Sequence, residues 1–471
     1  MDAFAQHRTW QRAGRLVLSQ LLCLGRHTVT NLLGTCGRQH CDWSADYRLY
    51  SQDSWNPRGL FQPVIHGVLG LCPDPSVFVV AMDDTPVRKT GRKVPGAGWG
   101  RDPLSPAFHC NLIWLQRFLQ VSAILYTTAP PGPGRAVPIW FQLVPPVPKP
   151  KRSDPPEVWR AYRKQRRQEN LCTHGAAILQ QIRQELDQHH AAWERKLIAC
   201  VDGSYFNQTV LKALPPRTTL IGRVRRDAEL FFRPDPPGTP IGGPARKYGP
   251  RAPTPEALRQ AEDQTWQEVT AFACGKLHTF RVKTLGAVLW RKAGADRPLR
   301  LLVIAPVGYR LRMHSKLLYR QPAYLLCTDV DLAVEWIVQY YLWRWDIETD
   351  HREEKQIIGV GQAQLTSRQS AERQPQLAVA GYSMLLLAAA RAFGKDAERP
   401  MLPPPKWQAN HPKPRLSTQD LVQQLRNEVW AFGLERLQEA FDLFVTAASG
   451  STRGLEAGET LASAVLYVGT G

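Results

Sequence analysis

The sequence lacks the short motifs that mark many nucleotide-dependent and hydrolytic enzymes. It contains neither a P-loop nor a G-x-G-x-x-G dinucleotide fingerprint, and it has no G-x-S-x-G nucleophile elbow. The first two motifs place backbone N–H groups around phosphates, and the third exposes a serine nucleophile. A metabolic enzyme built on one of these sites is therefore not expected.

Cysteine pairs and long membrane-spanning runs are also missing. The nine cysteines show no C-x2-C spacing, which argues against a zinc ribbon and against a disulfide framework. Residues 1–14 are polar and basic, without the apolar segment of a secretory signal. The most apolar run, 377–394, contains polar residues and is barely long enough to span a bilayer, so a buried core helix is expected. We therefore expect a cytoplasmic protein with reduced cysteines and no membrane partner.

Acidic residues are scarce relative to basic ones. The chain has 60 Lys and Arg against 41 Asp and Glu, which gives a formal charge of +19 and a pI of about 9.7. An excess this large on a folded chain indicates a polyanionic partner, and nucleic acid is the first candidate. A length of 471 residues with 43% apolar content is sufficient for more than one structural unit with a sizeable core.

Apolar periodicity predicts helices first and then a mixed α and β region. Residues 1–72 show two helical patterns joined by a short turn, which fits a DNA-binding helix-turn-helix and also an ordinary helical hairpin. Three strands, a long polar helix, a strand, a short helix and a further strand are then predicted at 75–84, 108–126, 136–146, 156–190, 195–206, 207–214 and 218–232. This order predicts an α/β fold, or an α+β fold if the first three strands form an antiparallel meander.

The second half of the chain begins with a basic loop and ends with helices. Residues 234–260 are rich in proline and glycine, and several short strand-like runs follow up to residue 327. A long helix is then predicted with Thr328 as its N-cap, followed by another helix at 374–394. A proline-rich linker at 398–415 precedes a final helical segment.

Acidic residues stand at the ends of two predicted strands and on the later long helix. Asp83 and Asp84 end the first strand, Asp202 ends the strand after the polar helix, and Glu348 lies on the long helix. Two Mg²⁺ ions that act on a phosphodiester are usually held by carboxylates from separate elements. Adjacent strand residues face opposite sides of a sheet, so one of Asp83 and Asp84 is expected to face such a site.

The long helix also carries a stripe of polar and charged side chains. In the segment YLWRWDIETDHREEK, residues 341–355, one face collects Tyr341, Arg344, Glu348, Arg352 and Lys355. A solvated face with i,i+4 ion pairs explains this stripe as well as a functional surface does. The choice between them depends on the rest of the chain.

This segment carries a Y-x2-R-x3-E-x6-K pattern and resembles the signature of bacterial insertion-sequence transposases of the insertion-sequence-4 superfamily. The segment AMDDTPVRKTGRKVPGAG, residues 81–98, further resembles the insertion-sequence-701 group. The resemblance covers about residues 10–395. It implies a DDE transposase with an α/β fold, namely an RNase H-like mixed sheet flanked by helices, a β-rich insertion subdomain, and helical N- and C-terminal segments.

The resemblance implies four regions. Residues 1–72 form a helical DNA-binding segment, 73–233 and 328–395 form the RNase H-like catalytic core, 234–327 form an inserted β-rich subdomain with a basic loop, and 396–471 form a proline-rich linker and a C-terminal helical segment.

The resemblance also implies roles for individual residues. The implied metal ligands are Asp84 (with Asp83 as the alternative first acid), Asp202 and Glu348, which hold two Mg²⁺ ions for which Mn²⁺ can substitute. The implied DNA contacts around them are Tyr341, Arg344, Trp345, Lys355 and Arg223, and His351 matches a further family position. The sequence VDGSYF, 201–206, departs from the commoner Asp-Arg-Glu sequence of the family, so the surroundings of Asp202 are expected to differ.

Two basic clusters outside the signature are expected to contact the DNA backbone. One lies in the polar helix (Arg163, Lys164, Arg166 and Arg167), for which a solvated face is the alternative, and the other is in the basic loop (Arg246 and Lys247). The expected function is metal-dependent cleavage and strand transfer at the ends of an insertion sequence. The expected partners are the terminal inverted repeats and target DNA, bound by a homodimer in the bacterial cytoplasm at the nucleoid. Alternatives are a non-catalytic DNA-binding regulator derived from a transposase and a DNA endonuclease of the same fold.

Overall fold

The computed structural model describes residues 3–106, 108–126, 131–234, 246–394 and 416–430. Met1–Asp396 form one compact unit, and Ala397–Gly471 form a second. In the second unit, residues 418–430 are helical. The proline-rich linker predicted at 398–415 and part of the basic loop lie outside the described residues. The finer division of the first unit into domains stays a prediction.

The first unit consists of helices and strands with the following bounds. The helices are α1 (His7–Leu22), α2 (Val29–Thr35), α3 (Ser44–Ser51), α4 (Pro57–Leu71), α5 (Pro156–Gln168), α6 (Leu171–Gln188), α7 (Gln208–Lys212), α8 (Pro255–Gln260), α9 (Val334–Trp343), α10 (Asp346–Gln356) and α11 (Arg368–Phe393). The strands are β1 (Val77–Arg88), β2 (Gly98–Arg101), β3 (Leu112–Tyr126), β4 (Gly134–Leu143), β5 (Lys196–Val201), β6 (Thr218–Arg223), β7 (Leu230–Phe231), β8 (Gln267–Ala273), β9 (Lys276–Trp290), β10 (Gly294–Ile304), β11 (Gly308–Tyr309), β12 (Leu318–Tyr319) and β13 (Ala323–Cys327).

The described strands form one large mixed sheet and one small hairpin. The large sheet has 11 strands in the order β2-β3-β1-β5-β6-β13-β10-β9-β7, with β4 beside β3 and β8 beside β9. Strands β1, β5 and β6 are parallel, whereas β1, β3 and β4 form the antiparallel meander that the α+β alternative required. The expected mixed sheet flanked by helices is confirmed, and it is consistent with an RNase H-like fold.

The region predicted as an inserted subdomain is β-rich, as expected, and it continues the main sheet. Strand β13 pairs antiparallel with β6, with Leu325 opposite Arg223, and β10 and β9 extend the sheet beyond β13. The small hairpin of β11 and β12 lies between β10 and β13 in the chain.

Two helices predicted as continuous are interrupted. The polar helix over 156–190 is divided into α5 and α6, because the Asn170 side chain accepts hydrogen bonds from Cys172 N and Thr173 N and caps a new helix. The signature helix is divided into α9 and α10 at Arg344 and Trp345. The predicted N-cap was wrong: α9 begins at Val334, and the Thr328 hydroxyl instead accepts a hydrogen bond from Leu220 N.

Alternate side chains of β1 and β5 form a core beneath α9 and α10. Val79 and Ala81 of β1 lie in this core with Ile198 and Cys200 of β5, and Ile347 of α10 also belongs to it. The opposite face of β1 is turned toward α6, where Met82 approaches Gly175. Residues 83 and 202 continue the series that faces α9 and α10.

Helix α11 is a core helix of the first unit. It is long and apolar enough to cross a membrane by length and composition alone, but 61% of its most apolar window is buried in the protein. It packs on α1, α3, α4 and β4. The core helix expected from the sequence at 374–394 is found here over a longer range.

The N-terminal helices are joined to the loop that follows α10. The Gln20 side chain donates a hydrogen bond to Ile358 O at 2.5 Å, and His27 N donates to Gln362 Oε1 at 2.7 Å. The helical content expected for residues 1–72 is confirmed, and the expected Thr28 cap accepts from Asn31 N. DNA recognition by these helices stays a prediction.

Candidate active site

The parallel pairing of three neighbouring strands ends at one level of the sheet. Because β1, β5 and β6 are parallel, with Met82 opposite Val201 and Val201 opposite Gly222, the next residues lie side by side where this pairing ends. These residues are Asp83, Asp202 and Arg223. The expectation that Asp83 and Asp84 end the first strand was wrong, because β1 continues to Arg88 by pairing with β3. The loop after a parallel strand at this level is a common place for a functional site.

The two adjacent aspartates have different surroundings. Asp84 Oδ2 lies 2.8 Å from Arg117 Nε, and Asp84 Oδ1 accepts a 2.7 Å hydrogen bond from the hydroxyl of buried Tyr205. Asp83 instead lines a cavity with Asp202 and Glu348. Asp83 therefore lies on the side of β1 that faces α9 and α10, and Asp84 lies on the other side. Which of the two is the first acid stays a prediction.

The cavity has a volume of about 980 Å³, and ten charged side chains line it. Its acidic side chains are Asp83, Asp202, Asp227, Glu229 and Glu348. Its basic side chains are Arg223, Arg225, Arg291, Lys292 and Arg344, and tryptophans 290 and 345 also line it. Clustered cations and aromatic rings around carboxylates suit a polyanion whose phosphates and bases both need contacts.

Arg344 connects two of the carboxylates. Its Nη1 lies 3.3 Å from Asp83 Oδ2, and its Nη2 lies 3.1 Å from Glu348 Oε1. The Arg344 side chain is only 9% exposed, whereas its partners Asp83 and Glu348 are 19% and 37% exposed, so the pair with Asp83 is the better shielded from solvent. A buried guanidinium held in this way fixes the orientation of both acids.

Negative charge is crowded at Asp83. Burial and, to a lesser extent, the charge of Asp202 raise the pKa of Asp83 to about 7, and the Arg344 guanidinium opposes this shift. A nearby cation stabilises the ionised form of a carboxyl whose pKa is raised by burial and by a like charge. The site therefore has an electrostatic need for positive charge beyond that of Arg344.

The chemistry of the three carboxylates fits a divalent metal. Oxygen donors from separate elements are the ligands that Mg²⁺ and Mn²⁺ prefer. Within the described ranges, no three His, Cys, Asp or Glu side chains already converge closely enough to hold an ion. The pairing of Asp83 and Glu348 with the Arg344 guanidinium explains part of why the three carboxylates do not converge on one point.

The other signature residues occupy different positions around the cavity. Trp345 is 61% exposed and lines it, whereas Tyr341 is partly buried with its ring 5.6 Å from the Arg344 guanidinium. Lys355 is partly buried, and burial lowers its pKa. His351 is buried, and its pKa is lowered to about 3 by burial and then by Lys355 and Arg344, so its imidazole is neutral at physiological pH. The stripe is therefore only partly solvated.

The predicted basic clusters lie apart from the acids, except for Arg223. Arg223 lines the cavity. Arg163, Lys164, Arg166 and Arg167 are exposed on α5, which buries no residue, and three of them line a separate depression of about 340 Å³ with Arg160. Arg246 and Lys247 are exposed and are not part of the cavity lining.

Several cavity residues were missed by the sequence reasoning. Trp290, Arg291 and Lys292 come from the turn between β9 and β10, and Arg225 follows β6. The run of an aromatic and two basic residues in LWRKAG was the available signal. Lys89 was also missed: it is buried and donates hydrogen bonds to Gly361 O and Ala363 O at 2.8 and 3.1 Å, which ties the end of β1 to the loop after α10.

The large mixed sheet flanked by helices, with carboxylates and basic side chains in one cavity, is consistent with a nuclease that acts on DNA. The chain belongs to the DDE superfamily endonuclease family, whose sequence model matches residues 1–297. The matched range contains Asp83 and Asp202 and ends before Glu348. No curated protein matches the chain.

Proposed function

We propose that this DDE superfamily endonuclease is a DNA transposase of the insertion-sequence-4 superfamily, most similar to the insertion-sequence-701 group. It would cleave DNA at the ends of its element and join the freed ends to target DNA. The observation that carries this proposal is that Asp83, Asp202 and Glu348 line one cavity together with five basic side chains. The signature segment 341–355 supports transposition in particular.

In the proposed mechanism, Asp83, Asp202 and Glu348 would hold two Mg²⁺ ions, for which Mn²⁺ would substitute. When bound, these ions supply the positive charge that polarises the reacting phosphodiester and its attacking oxygen. Arg344 holds Asp83 and Glu348 in place before metal and DNA bind. Its guanidinium lines the cavity and would also pair with a phosphate of bound DNA.

Other side chains of the cavity position the DNA strand. Arg223 lies next to Asp202, and Arg291 and Lys292 line the same cavity, so all three would neutralise phosphates of a bound strand. Exposed Trp345 offers a ring on which a base can stack. Tyr341 beneath Arg344 and Lys355 further along α10 would support the phosphate contacts that the signature implies.

We also propose how the rest of the chain meets DNA. Residues 1–72 would recognise the terminal inverted repeats, and a homodimer would pair the two ends. The exposed basic side chains of α5, with Arg246 and Lys247, would contact the backbone without reading sequence. The protein would act at the nucleoid of a bacterial cell.

A strand-transfer assay tests this proposal. Purified full-length protein is incubated in Mg²⁺ with labelled duplexes that end in the inverted repeats flanking its own gene, together with a target plasmid. Joined product is expected for the wild type and for Glu335→Gln, an exposed acid on α9, but not for Glu348→Gln. Cleavage without joining would favour the endonuclease. Binding without cleavage in Mg²⁺ or Mn²⁺ would favour the non-catalytic regulator.

A further inference from the structure

The hairpin that contains β11 and β12, residues 306–322, exposes large apolar side chains. Leu311 is 75% exposed and Met313 is 83% exposed, and Tyr319 nearby is 65% exposed. Single exposed apolar residues are common on protein surfaces, but several together at the tip of one hairpin indicate a contact surface.

The same hairpin is uniformly basic. Arg310, Arg312, Lys316 and Arg320 lie between residues 306 and 322, and this stretch contains no Asp or Glu. A protein-binding surface usually loses charge at its centre, whereas here cations alternate with the apolar residues. This alternation matches duplex DNA, which presents phosphates on either side of stacked, apolar base faces.

The tip of the hairpin is held in a defined turn. Ser315 N donates a hydrogen bond to Arg312 O at 3.0 Å, and Arg312 N donates to Ser315 Oγ at 3.0 Å. The Arg310 guanidinium donates to Ser315 O, and Arg320 lies 5.2 Å from the ring of Tyr309. Leu311 and Met313 are thus presented by an ordered turn, which reduces the entropy lost on binding.

The hairpin leaves the large sheet at the same edge as the catalytic acids. It joins the end of β10 to the start of β13, where Ile304 lies opposite Ala323. Because Leu325 of β13 lies opposite Arg223, the start of β13 is at the carboxyl end of β6. With neighbouring strands about 4.8 Å apart, β13 lies about 10 Å from β5, which carries Asp202. DNA in the cavity would therefore extend past this hairpin.

We propose that the β11–β12 hairpin inserts Leu311 and Met313 between base pairs of duplex DNA, while its arginines and lysine contact the flanking phosphates. The inference rests on the proposed function, because it takes the acids as the place where the duplex is held. Insertion of an apolar wedge unstacks a base step and locally unwinds the duplex. The unwinding would lie within a few base pairs of the reacting phosphodiester.

The test measures DNA unwinding without any cleavage. Full-length protein is bound to closed circular plasmid in EDTA, the plasmid is relaxed by a type I topoisomerase that needs no metal, and the change in linking number is read after deproteinisation. Wild type is expected to change the linking number in proportion to bound protein. The double variant Leu311→Ser/Met313→Ser is expected to bind the plasmid but to lose most of this change.

A matched control uses another exposed leucine outside the hairpin. Leu277 is 57% exposed on β9, and Leu277→Ser is expected to unwind the plasmid as the wild type does. Because the exchanged side chains are exposed, neither variant is expected to disturb folding, which a thermal unfolding curve verifies.

Three results would overturn the proposal. The double variant could unwind the plasmid as well as wild type does, or wild type could bind without unwinding. Alternatively, wild type could leave the plasmid unbound and bind phosphatidylcholine vesicles containing phosphatidylserine through the hairpin, which would assign this surface to anionic lipid. If the protein unwinds the plasmid but shows no Mg²⁺-dependent cleavage, the hairpin proposal stands and only the proposed catalytic function is contradicted. If it cleaves DNA but does not unwind the plasmid, the proposed function stands and the hairpin proposal is contradicted.

Discussion

Exchanging Asp83 or Asp84 for asparagine is expected to separate stability from catalysis. In Asp84→Asn, the ion pair with Arg117 is removed, and the Tyr205 hydroxyl donates to a neutral oxygen. Because Arg117 is 44% exposed, the ion pair contributes only about 0.2–1 kcal/mol. Weakening a hydrogen bond to a charged acceptor costs about 1 kcal/mol more. The free energy of unfolding is therefore expected to fall by roughly 1–2 kcal/mol.

Asp83→Asn is expected to keep the stability of the wild type and to lose DNA cleavage. The amide oxygen still accepts a hydrogen bond from Arg344, and the charge next to Asp202 is removed, so stability is expected to be maintained. Loss of a metal-binding charge should reduce DNA cleavage by about 10²-fold or more, the size seen when a group that stabilises developing charge is removed.

Both variants are compared with wild type by urea unfolding and by Mg²⁺-dependent cleavage of labelled DNA below the unfolding transition. Asp84→Asn should cleave at a rate near that of wild type, and Asp83→Asn should not cleave. A folded Asp84→Asn without activity, together with an active Asp83→Asn, would refute the assignment of the first acid.

Three further perturbations probe other parts of the molecule. Lys89→Met is expected to lower the free energy of unfolding by roughly 1–3 kcal/mol for each of the two carbonyls left without a donor. Lys93 is exposed, and Lys93→Met serves as the neutral control. Equal unfolding curves for the two variants would contradict a stabilising role of the Lys89 hydrogen bonds. Glu354 is buried, and burial raises its pKa to about 8, so the folded protein keeps a proton that the unfolded chain loses. This carboxyl therefore makes the free energy of unfolding fall as pH rises from about 4.5 to 8, by at most about 1.4 kcal/mol per pH unit. Glu354→Gln should remove this decline in stability. Parallel curves of stability against pH for the wild type and Glu354→Gln would contradict the raised pKa of Glu354 as its cause. Replacing the four basic side chains that line the α5 depression by glutamine should make the slope of log K against log salt shallower by about 0.9 for each phosphate that is no longer neutralised, as measured by DNA binding between low and moderate salt; an unchanged slope would show that α5 does not touch DNA.

The order of elements and the acid positions were accessible from the sequence because they depend on local patterns. Continuous apolar runs predicted β1 and β5. Asp202 follows β5 as expected, whereas β1 continues past Asp83 and Asp84 to Arg88, because its pairing with β3 is a contact that no local pattern specifies. Alternation along β1 showed that only one of Asp83 and Asp84 faces the cavity. Which one does so depends on the sheet face that α9 and α10 cover, and that is a tertiary contact.

Other parts of the site depend on contacts between distant segments. The turn with Trp290, Arg291 and Lys292 reaches the cavity only through the pairing of β9 with β10 and β7, which no local pattern specifies. The break between α9 and α10 was also not predictable, because the residues around Arg344 keep helical dihedral angles and a helical pattern. The interruption before α6 did have a local signal, since Asn170 is a strong N-cap residue.

Metal-dependent cleavage of DNA tests most directly whether Asp83, Asp202 and Glu348 form the active site. Labelled duplexes with the element's ends are incubated with wild type, Glu348→Gln and the control Glu335→Gln, in Mg²⁺ and in EDTA. Cuts at the ends that require Mg²⁺, persist in Glu335→Gln and disappear in Glu348→Gln are the predicted result. Equal cleavage by Glu348→Gln and wild type, or cleavage that continues in EDTA, would contradict this account.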